Sequence, residues 1–448
     1  MDTLNTLPLV IEPQFKPSRF TLTARVRSDG SAIILNTLSG AIIQVPDVQV
    51  AEVRALLEAT VPRTLATIPE HLHYLAEQGF LVPASRNEDR ILRHVALTKT
   101  TRHDNLHLIV LPTEQCNFRC PYCYESFEKG LMSEHIQARL EDLLRARVPR
   151  LRHLALDWFG GEPLLGLPVV RRIGRLAKDL VEAAGCRFTS HVTTNGYLLT
   201  PTVAAELVQL GVTSFQITLD GPPETHNTRR ILASATQGTF DRIVENLRGL
   251  LAIREIFAVT IRVNYDRDSL SAIPDFISWL AANFGEDLRV RVDFQPIWVE
   301  PGETAVSACM GKERQLTQIA FFETARKLGL RVAQALDAFT PGGYVCYAAK
   351  ANSLVVRSDG RLNKCTVALD SDYNNVGELL DGGGVRLDLD RVTLWTGSGL
   401  QEAQTCQSCQ MAPSCQGNAC PLERIENKRR PCPPAKNHGA RWLPLLSE

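Results

Sequence analysis

Short apolar runs alternate with amphipathic patterns through the middle of the 448-residue chain. The runs with the composition of buried strands are His107–Leu111, Leu154–Trp158, Phe188–Thr193, Ser214–Leu219, Ala258–Val263 and Val290–Phe294. Apolar residues three and four positions apart predict helices between them, at Ser133–Ala146, Val169–Ala184, Thr202–Leu210, Phe240–Ile253 and Leu270–Phe284. Strands joined by crossover helices predict a parallel sheet in an α/β domain. Six of them predict a partial (β/α)6 barrel over residues 105–300, whose reactive groups lie on loops at the carboxyl ends of the strands.

The first 100 residues follow a different pattern, and we expect residues 1–100 to form a separate α+β domain. Alternating segments at Phe20–Val26 and Ala32–Leu35 flank Ser28-Asp-Gly-Ser31, which predicts a β-hairpin. Further elements are predicted at Ala41–Val45, Val48–Ala59, Pro69–Gln78 and Phe80–Val82. A strand pair packed on two or three helices resembles a winged-helix peptide-binding module. A capping domain without a binding role fits the pattern equally well.

The pattern changes again after the predicted barrel. Residues 301–340 read as a helical linker with one good helix, Lys312–Leu328. Turn residues predominate in residues 341–448, including the run Asp381-Gly-Gly-Gly384, and we expect little apolar core there. Metal clusters would then supply cross-links that packing does not.

Composition and charge exclude several classes of protein. The chain is 44% apolar and 22% charged, which are ordinary globular values. Its 49 basic and 49 acidic residues balance, so we expect no nucleic-acid partner. The N-terminus lacks a basic segment followed by an apolar run, and no apolar stretch approaches the roughly 20 residues that span a bilayer. We therefore expect a cytoplasmic protein with no membrane partner.

The number and the clustering of the cysteines indicate that the protein binds metal. Twelve cysteines are too few for a disulfide scaffold, but most of them cluster in residues 116–123 and 346–432. In a reducing compartment, clustered cysteines usually bind metal. Cys186 and Cys309 stand apart from both clusters, and we expect them to be buried thiols.

The densest cluster, Cys116-Asn-Phe-Arg-Cys120-Pro-Tyr-Cys123, follows the first predicted barrel strand directly. Three thiolates this close can hold three irons of a [4Fe–4S] cube, and no fourth cysteine follows nearby. An iron with an open position can bind a substrate or a cofactor. A zinc knuckle or an electron-transfer cluster is the alternative, although structural zinc needs a fourth ligand close by.

Polar motifs follow the next three predicted strands as well. They are Gly160-Gly161-Glu162-Pro163, Thr193-Thr194-Asn195-Gly196, and Leu219-Asp220-Gly221-Pro222, which continues to His226-Asn227-Thr228-Arg229-Arg230. Each motif alone is an ordinary turn sequence. Four motifs at the ends of successive strands indicate one shared site.

Cys-x3-Cys-x2-Cys after a first barrel strand, followed by these motifs in order, resembles the radical S-adenosylmethionine (SAM) enzymes over nearly all of residues 105–440. The resemblance implies SAM at the open iron, where a carboxylate suits its ammonium and a guanidinium suits its carboxylate. The cofactor-binding residues that it implies are Tyr122, Gly160, Gly161, Glu162, Asn195, Asp220 and Arg230. The family usually has Asp where this chain has Asn227. The implied chemistry is one-electron cleavage of SAM and abstraction of a hydrogen atom, with an external electron donor such as flavodoxin or ferredoxin.

The C-terminal cysteines resemble a SPASM domain, an extension that carries two auxiliary [4Fe–4S] clusters. The resemblance assigns one cluster to Cys406, Cys409, Cys415 and Cys432, and the other to Cys346, Cys365 and Cys420. Four residues separate Cys415 from Cys420, where the family usually has three. The fourth site of the inner cluster is open, filled by Cys309 or taken by a substrate thiol. For Cys406-x2-Cys409 alone, a pair of zinc ribbons is an alternative.

SPASM-bearing enzymes mostly modify peptides or proteins, so the resemblance implies a polypeptide substrate. Sulfatase-maturing enzymes oxidise a cysteine or serine with an aspartate just after an auxiliary-cluster cysteine, but here Thr366 follows Cys365 and the next acid is Asp370. The long N-terminal segment favours a maturase of ribosomally made peptides, whose leader peptide adds a strand to a sheet edge. We therefore expect hydrogen abstraction from a precursor peptide and a thioether or carbon–carbon cross-link. Epimerisation and, outside enzymes, an iron–sulfur electron carrier are the alternatives. No residue is assigned as the proton acceptor.

Overall fold

Three sheets organise the computed structural model, which describes residues 12–25, 29–297, 311–333, 336–397 and 399–443. The strands are β1 Gln14–Pro17, β2 Thr21–Arg25, β3 Ala32–Asn36, β4 Ile42–Val45, β5 Arg63–Thr64, β6 Leu81–Pro83, β7 Asn105–Val110, β8 His153–Trp158, β9 Arg187–Thr194, β10 Ser214–Thr218, β11 Ala258–Tyr265, β12 Val290–Pro296, β13 Ser353–Val356, β14 Arg361–Asn363, β15 Asn375–Leu379 and β16 Val385–Leu387. The helices are α1 Asp47–Leu57, α2 Tyr74–Glu77, α3 Glu88–Thr100, α4 Glu134–Arg147, α5 Leu167–Ala184, α6 Pro201–Gln209, α7 Pro223–Arg229, α8 Phe240–Leu251, α9 Ile273–Phe284, α10 Gly311–Lys327, α11 Leu389–Thr396, α12 Gly399–Glu402, α13 Gln404–Gln407, α14 Ala412–Cys415, α15 Pro421–Asn427 and α16 Pro434–Trp442.

The central sheet has ten strands in the order β12-β11-β10-β9-β8-β7-β13-β14-β15-β16. Strands β7 to β12 are mutually parallel and lie side by side in chain order. This confirms the α/β class and the parallel core that the alternating pattern predicts. On the other side of β7, strand β13 also pairs in parallel, and β14 to β16 extend the sheet with antiparallel pairs. The C-terminal region is therefore joined to the parallel core through one continuous sheet.

The two faces of the parallel strands differ in polarity. Along β11, Val259, Ile261 and Val263 are fully buried, while the residues between them are half-buried. The fully buried series belongs to the main hydrophobic cluster, together with apolar residues of α4 to α9. Because side chains alternate along a strand, the opposite face carries the polar set. The polar residues of that face include His107, Asp157, His191, Arg262 and Asp293.

Local sequence signals explain where the crossover helices begin and end. Ser133 caps α4 by accepting a hydrogen bond from the Ile136 amide at 3.3 Å, and Arg145 and Arg147 lie in the last turn, where cations interact favourably with the helix dipole. Helix α5 ends at Gly185, which has φ 61° in the left-handed region that glycine adopts without steric cost. Because of these signals, the predicted and observed boundaries of α4 and α5 agree within two residues.

The C-terminal region contradicts the expectation of little apolar core. Leu362, Val376 and Trp395 are fully buried and belong to the same hydrophobic cluster as the parallel strands. The reason is the pairing of β13 with β7, which places the following hairpin on an existing core. That pairing joins residues about 250 positions apart, as in Leu108 opposite Leu354, and a local pattern does not predict it.

The N-terminal region contains two three-stranded sheets, β5-β1-β6 and β2-β3-β4. The predicted hairpin is confirmed as the antiparallel pair β2 and β3, with residues 26–28 outside the described part. The single helix predicted at Pro69–Gln78 is wrong, since the segment forms a 3₁₀ turn at Glu70–Leu72 followed by the short α2. The pattern also overlooked α3, which Asn87 caps by accepting from the Arg90 amide at 3.0 Å.

Two further expectations concern single features. Within the described ranges, no helix is long and apolar enough to cross a membrane. Cys186 is 8% exposed, as expected for a buried thiol. Cys309 lies outside the described residues.

Candidate active site and cysteine sets

The loop after β7 presents Cys116, Cys120 and Cys123 at the carboxyl end of the sheet. The Cys123 amide donates to the Cys120 carbonyl at 3.0 Å, and the Phe118 amide donates to the Cys116 thiol at 3.3 Å. Burial raises the pKa of Cys116 to about 12 and that of Cys123 to about 11, and the Cys120 thiol adds to both shifts. The three thiols therefore interact with one another, and positive charge is needed to hold them as thiolates.

The glycine pair after β8 packs directly against the backbone of this loop. A Cβ on Gly160, whose φ is 120°, would lie 2.3 Å from the Thr113 carbonyl oxygen. A Cβ on Gly161 would lie 2.4 Å from the carbonyl oxygen of Gln115, the residue before Cys116. Such distances exclude any side chain, so the two loops approach this closely because both positions are glycine.

Glu162 is fully buried and joins the loops after β8 and β9. Its Oε1 accepts from the Thr194 hydroxyl at 2.8 Å and from the Leu164 amide at 3.0 Å, and its Oε2 accepts from the Asn195 amide at 2.7 Å. Burial raises the pKa of this carboxyl group. The structure thus gives Glu162 three internal donors, and its contact with the SAM ammonium stays a prediction.

Tyr122, Asp220 and Arg230 come together from separate loops. The Tyr122 hydroxyl donates to Asp220 Oδ2, and Arg230 Nη1 donates to the Tyr122 oxygen at 3.2 Å. Asp220 Oδ1 accepts from the Asn264 amide at 3.0 Å. Burial, with the nearby Asp220 charge, holds the pKa of Tyr122 well above its usual value, so the phenol stays protonated and donates. The arginine also lies over the Phe118 ring, 5.3 Å from its centroid.

Two buried donors beside the cysteine triplet lack a hydrogen-bond partner within the described part of the chain, Arg230 Nε and Asn117 Nδ2. Arg230 is close enough to act electrostatically on Cys116 and Cys120. A buried guanidinium with an unused N–H fits a carboxylate-bearing ligand, because an unpaired buried donor is costly. The residues present therefore fit SAM next to a cluster held by the triplet.

The sequence motif names His226 and Asn227 without giving either of them a structural role, and the structure supplies one for each. His226 Nδ1 accepts from the Asp220 amide at 3.2 Å, and its Nε2 lies 3.1 Å from the Thr239 hydroxyl. Burial holds the pKa of His226 well below its usual value, so the ring is neutral and has the acceptor this geometry requires. Asn227 Oδ1 accepts from the Thr239 and Phe240 amides at 2.8 and 3.1 Å. That role needs only an oxygen acceptor, which explains why Asn serves where the family usually has Asp.

Cys346, Cys365 and Cys420 form a second interacting set, although they come from three separate segments. Cys346 precedes β13, Cys365 follows β14 and Cys420 lies at the start of α15. Burial raises the pKa of Cys346 to about 11, and the thiols of Cys365 and Cys420 add to that shift. The fold thus brings together the three cysteines that the resemblance assigns to one auxiliary cluster.

The third set is Cys406, Cys409, Cys415 and Cys432. Burial raises the pKa of Cys415 to about 11, and the other three thiols each raise it further. Lys436 Nζ donates to the Cys432 thiol at 3.3 Å and brings positive charge to the set. In each of the three sets the thiols act electrostatically on one another, so cysteines from distant segments lie near each other as the resemblance implies, and their role as ligands stays a prediction.

Within the described residues, no three His, Cys, Asp or Glu side chains converge as the ligands of a single metal ion do. Structural zinc requires that convergence, because its four ligands surround one ion. An iron–sulfur cube does not require it, because each cysteine binds a different iron. The assignment of the sets to iron–sulfur clusters rather than to zinc therefore stays a prediction.

Comparison with known proteins agrees with this geometry. Residues 110–273 match the family model described as the Radical SAM superfamily. Mycofactocin maturase MftC of Mycobacterium tuberculosis is 27% identical over 330 residues, which cover 68% of this chain and 75% of the relative. GTP 3′,8-cyclase of Mycobacterium marinum is 30% identical over 186 residues, 40% of this chain and 47% of the relative. The structure of native anSMEcpe with bound AdoMet and Kp18Cys peptide has a TM-score of 0.55 at 17% identity, covering 73% of this chain and 92% of that one.

The fold, the cysteine triplet and the family match define an α/β radical SAM domain. The chain is therefore an enzyme that carries a radical SAM domain over residues 110–273.

Proposed function

We propose that this enzyme is a cytoplasmic maturase that modifies a residue of a ribosomally made precursor peptide and installs a thioether or carbon–carbon cross-link. The observation that carries the proposal is the grouping of ten cysteines into three sets, only one of which a SAM site requires. Two relatives favour a peptide substrate, since one is named a maturase and the other has been solved with a peptide bound.

In this proposal, the residues of the first site hold the cofactors and exclude water from them. Cys116, Cys120 and Cys123 would hold a [4Fe–4S] cluster, and Arg230 with Asn117 would hold SAM. When bound, the two together supply one-electron cleavage of SAM and abstraction of a hydrogen atom. The protonated Tyr122 orients the Arg230 guanidinium by accepting one of its N–H groups. Because Tyr122 also donates to Asp220, it lies between Asp220 and Arg230 and keeps the two from pairing directly.

The other cysteine sets would hold two auxiliary [4Fe–4S] clusters. Closing a cross-link removes a second electron from the peptide, and a cluster near the substrate is a suitable acceptor. A flavodoxin or ferredoxin would supply the first electron. The sulfatase-maturase alternative needs a free base after Cys365, but Asp370 pairs with Arg357 at 2.9 Å and accepts from Ser126 at 3.0 Å. We therefore favour cross-linking.

The N-terminal domain offers a groove for the leader part of the peptide. A groove of about 590 Å³ lies between α1 and the strands β2 and β3, and its lining includes Thr23, Ile34, Val53 and Leu57. Strand β2 is at the edge of its sheet. Gln410 donates to the Thr21 carbonyl at 2.9 Å, so the backbone of alternate residues, Thr23 among them, points away from the partner strand β3. An extended peptide can pair there and place apolar side chains in the groove.

Replacing the half-buried Leu57 with lysine is expected to weaken binding of the full-length peptide about tenfold, because the groove loses an apolar contact with the peptide and gains a charge that must be desolvated. Conversion of a peptide without its leader should not change. The matched control is Leu97→Lys, since Leu97 is 59% exposed on α3 and does not line the groove. Michaelis constants for both peptides provide the measurement. Equal losses in both variants would contradict the leader site.

Replacing Cys116, Cys120 and Cys123 together with alanine tests the cluster assignment and the proposed function at once. We expect about 12 irons per reconstituted wild-type chain and about 8 in the variant, since each cube holds four. The wild type, given SAM and dithionite without oxygen, should form 5′-deoxyadenosine and lower the mass of one peptide from the source cells by two hydrogens. The variant should do neither. Cys186→Ala, at a buried thiol outside the sets, should keep all irons. Zinc in place of iron, or no oxidised peptide with the wild type, would refute the proposal.

A further inference from the structure

A hydrogen-bonded array on the polar face of the central sheet is unused by the site described above. Asp157 on β8 accepts at Oδ2 from His107 Nε2 on β7 at 2.8 Å, and His107 Nδ1 lies 3.0 Å from the buried Ser353 hydroxyl on β13. The side chains of His107 and Asp157 are 25% and 27% exposed. The carboxylate is thus fixed through one oxygen, and Oδ1 remains available to accept a proton on this face.

The array lies next to the inner auxiliary cysteines. The ring of His107 contacts the ring of Tyr347 edge-on, with centroids 6.0 Å apart. Tyr347 directly follows Cys346, and its hydroxyl lies 2.8 Å from that of Thr366, which directly follows Cys365. Two side chains therefore connect Asp157 to the cysteine set where an electron would leave the substrate.

The groups that face Asp157 are histidines rather than fixed cations. They are His107 on β7, His191 on β9 and His153 on its own strand. Burial lowers the pKa of both His191 and His153, so these rings are neutral near pH 7. Arg291 acts on His191 from β12, farther along the sheet. No arginine or lysine neutralises the carboxylate by direct contact within the described residues.

A second carboxylate on the same face is less suited to accept a proton. Asp293 on β12 is 9% exposed, and its Oδ1 accepts from Gln295 Nε2 at 2.8 Å. Burial raises its pKa, which favours the protonated form. Strand β12 is also at the far edge of the sheet from β13 and its cysteines.

We infer that Asp157 is the proton acceptor of the oxidation and that His107, held by Ser353, is its positioning residue. The inference rests on the proposed function. Cross-linking joins two peptide atoms and removes two hydrogens. One would leave as a hydrogen atom to the 5′ carbon of SAM, whose bond to sulfur is broken by the one electron that a flavodoxin or ferredoxin supplies, so that 5′-deoxyadenosine and methionine are released. The other would leave as a proton to Asp157 Oδ1 and as an electron, for which an oxidised [4Fe–4S] cluster held by Cys346, Cys365 and Cys420 would be the acceptor.

The test uses the reconstituted full-length protein and the peptide that the wild type oxidises. Asp157→Asn should lower formation of cross-linked peptide by about 10²–10⁴-fold, the usual contribution of a general base. Formation of 5′-deoxyadenosine should fall less than about tenfold, because hydrogen abstraction precedes the proton transfer. With dithionite in excess and D₂O as solvent, the stalled peptide radical should be reduced by one electron and one solvent deuteron, so the unconverted peptide should gain deuterium. His107→Gln should cause a smaller loss and move the acidic limb of the pH–rate profile.

The matched control is Asp179→Asn, at an exposed position on the outer helix α5. Full cross-linking by Asp157→Asn would overturn the inference and leave the proposed function standing. Parallel losses of 5′-deoxyadenosine and cross-link, with an unchanged pH profile in His107→Gln, would also overturn it, since a structural role predicts that result. A wild type that cleaves SAM but oxidises no peptide would overturn the proposed function and this inference together.

Discussion

Replacing Arg357 with alanine is expected to lower the free energy of unfolding by about 3–5 kcal/mol, as for other buried ion pairs that lose one partner. Arg357 and Glu114 have side chains only 1% and 3% exposed. The guanidinium donates to Glu114 through Nε, at 3.1 Å, and through Nη2. Its Nη1 also donates to the Leu369 carbonyl. Alanine would leave the Glu114 carboxylate buried with only the more distant charge of Lys129.

The same substitution is expected to affect two cysteine sets. Glu114 lies two residues before Cys116, and Leu369 lies four residues after Cys365. Lys129, in the loop after the triplet, adds a contact of 3.9 Å to Glu114. The arginine therefore holds the loops of both sets in one charge network. We expect the variant to bind fewer irons than the wild type under identical reconstitution.

Urea unfolding of the reconstituted protein, followed by circular dichroism, checks the first expectation. Arg361→Ala is the matched control, because Arg361 pairs with Asp359 at 2.8 Å while both side chains are more than a third exposed. An exposed pair contributes about 0–1 kcal/mol. The double variant Glu114→Gln with Arg357→Met should be more stable than Arg357→Ala, since no unpaired charge remains. A loss below about 1 kcal/mol in Arg357→Ala would show that the pair is not buried as described.

Gly161→Ala is expected to reduce SAM cleavage about 100-fold, because a displacement of about 1 Å at a reacting group has an effect of that size. The added Cβ would lie 2.4 Å from the Gln115 carbonyl oxygen and 2.8 Å from that of Glu114. Both atoms belong to backbone, which cannot rotate away as a flexible side chain does. The loop that carries Cys116 must therefore move, and overpacking adds about 1–3 kcal/mol of destabilisation.

The production of 5′-deoxyadenosine, with iron content measured in parallel, checks this expectation. Gly130→Ala is the control, since its Cβ would meet nothing within 4 Å. We expect the control to retain wild-type cleavage. If Gly161→Ala cleaves SAM at the wild-type rate, the glycine pair is not needed to place the triplet.

Local periodicity predicts the parallel core well, because each strand and crossover helix has a full pattern of its own. The helix predicted at Pro69–Gln78 is wrong because the segment divides into a 3₁₀ turn and a four-residue helix. Helix α3 was overlooked although its Asn cap precedes two acidic residues, which is an ordinary start signal.

In the candidate site, too, some residues were predicted from the sequence and others were not. The cysteine sets and Arg230 were predicted because their spacing and order are visible along the chain. Asn264 was overlooked and His226 was given no role, since both roles depend on the distance to Asp220, which is a property of the folded chain. Asp157 lies within a strand and has no motif around it, so only its contact with His107 distinguishes it.

The parallel pairing of β13 with β7 has a consequence for the independence of the C-terminal region. Without that region, β7 would become a terminal strand with apolar residues Leu106, Leu108 and Val110 and unpaired backbone groups along its length. Exposed edges of this kind promote association between chains. We therefore expect the region that carries the second and third cysteine sets also to protect the edge of the radical SAM domain from association between chains, and we expect neither part to persist as a separate unit.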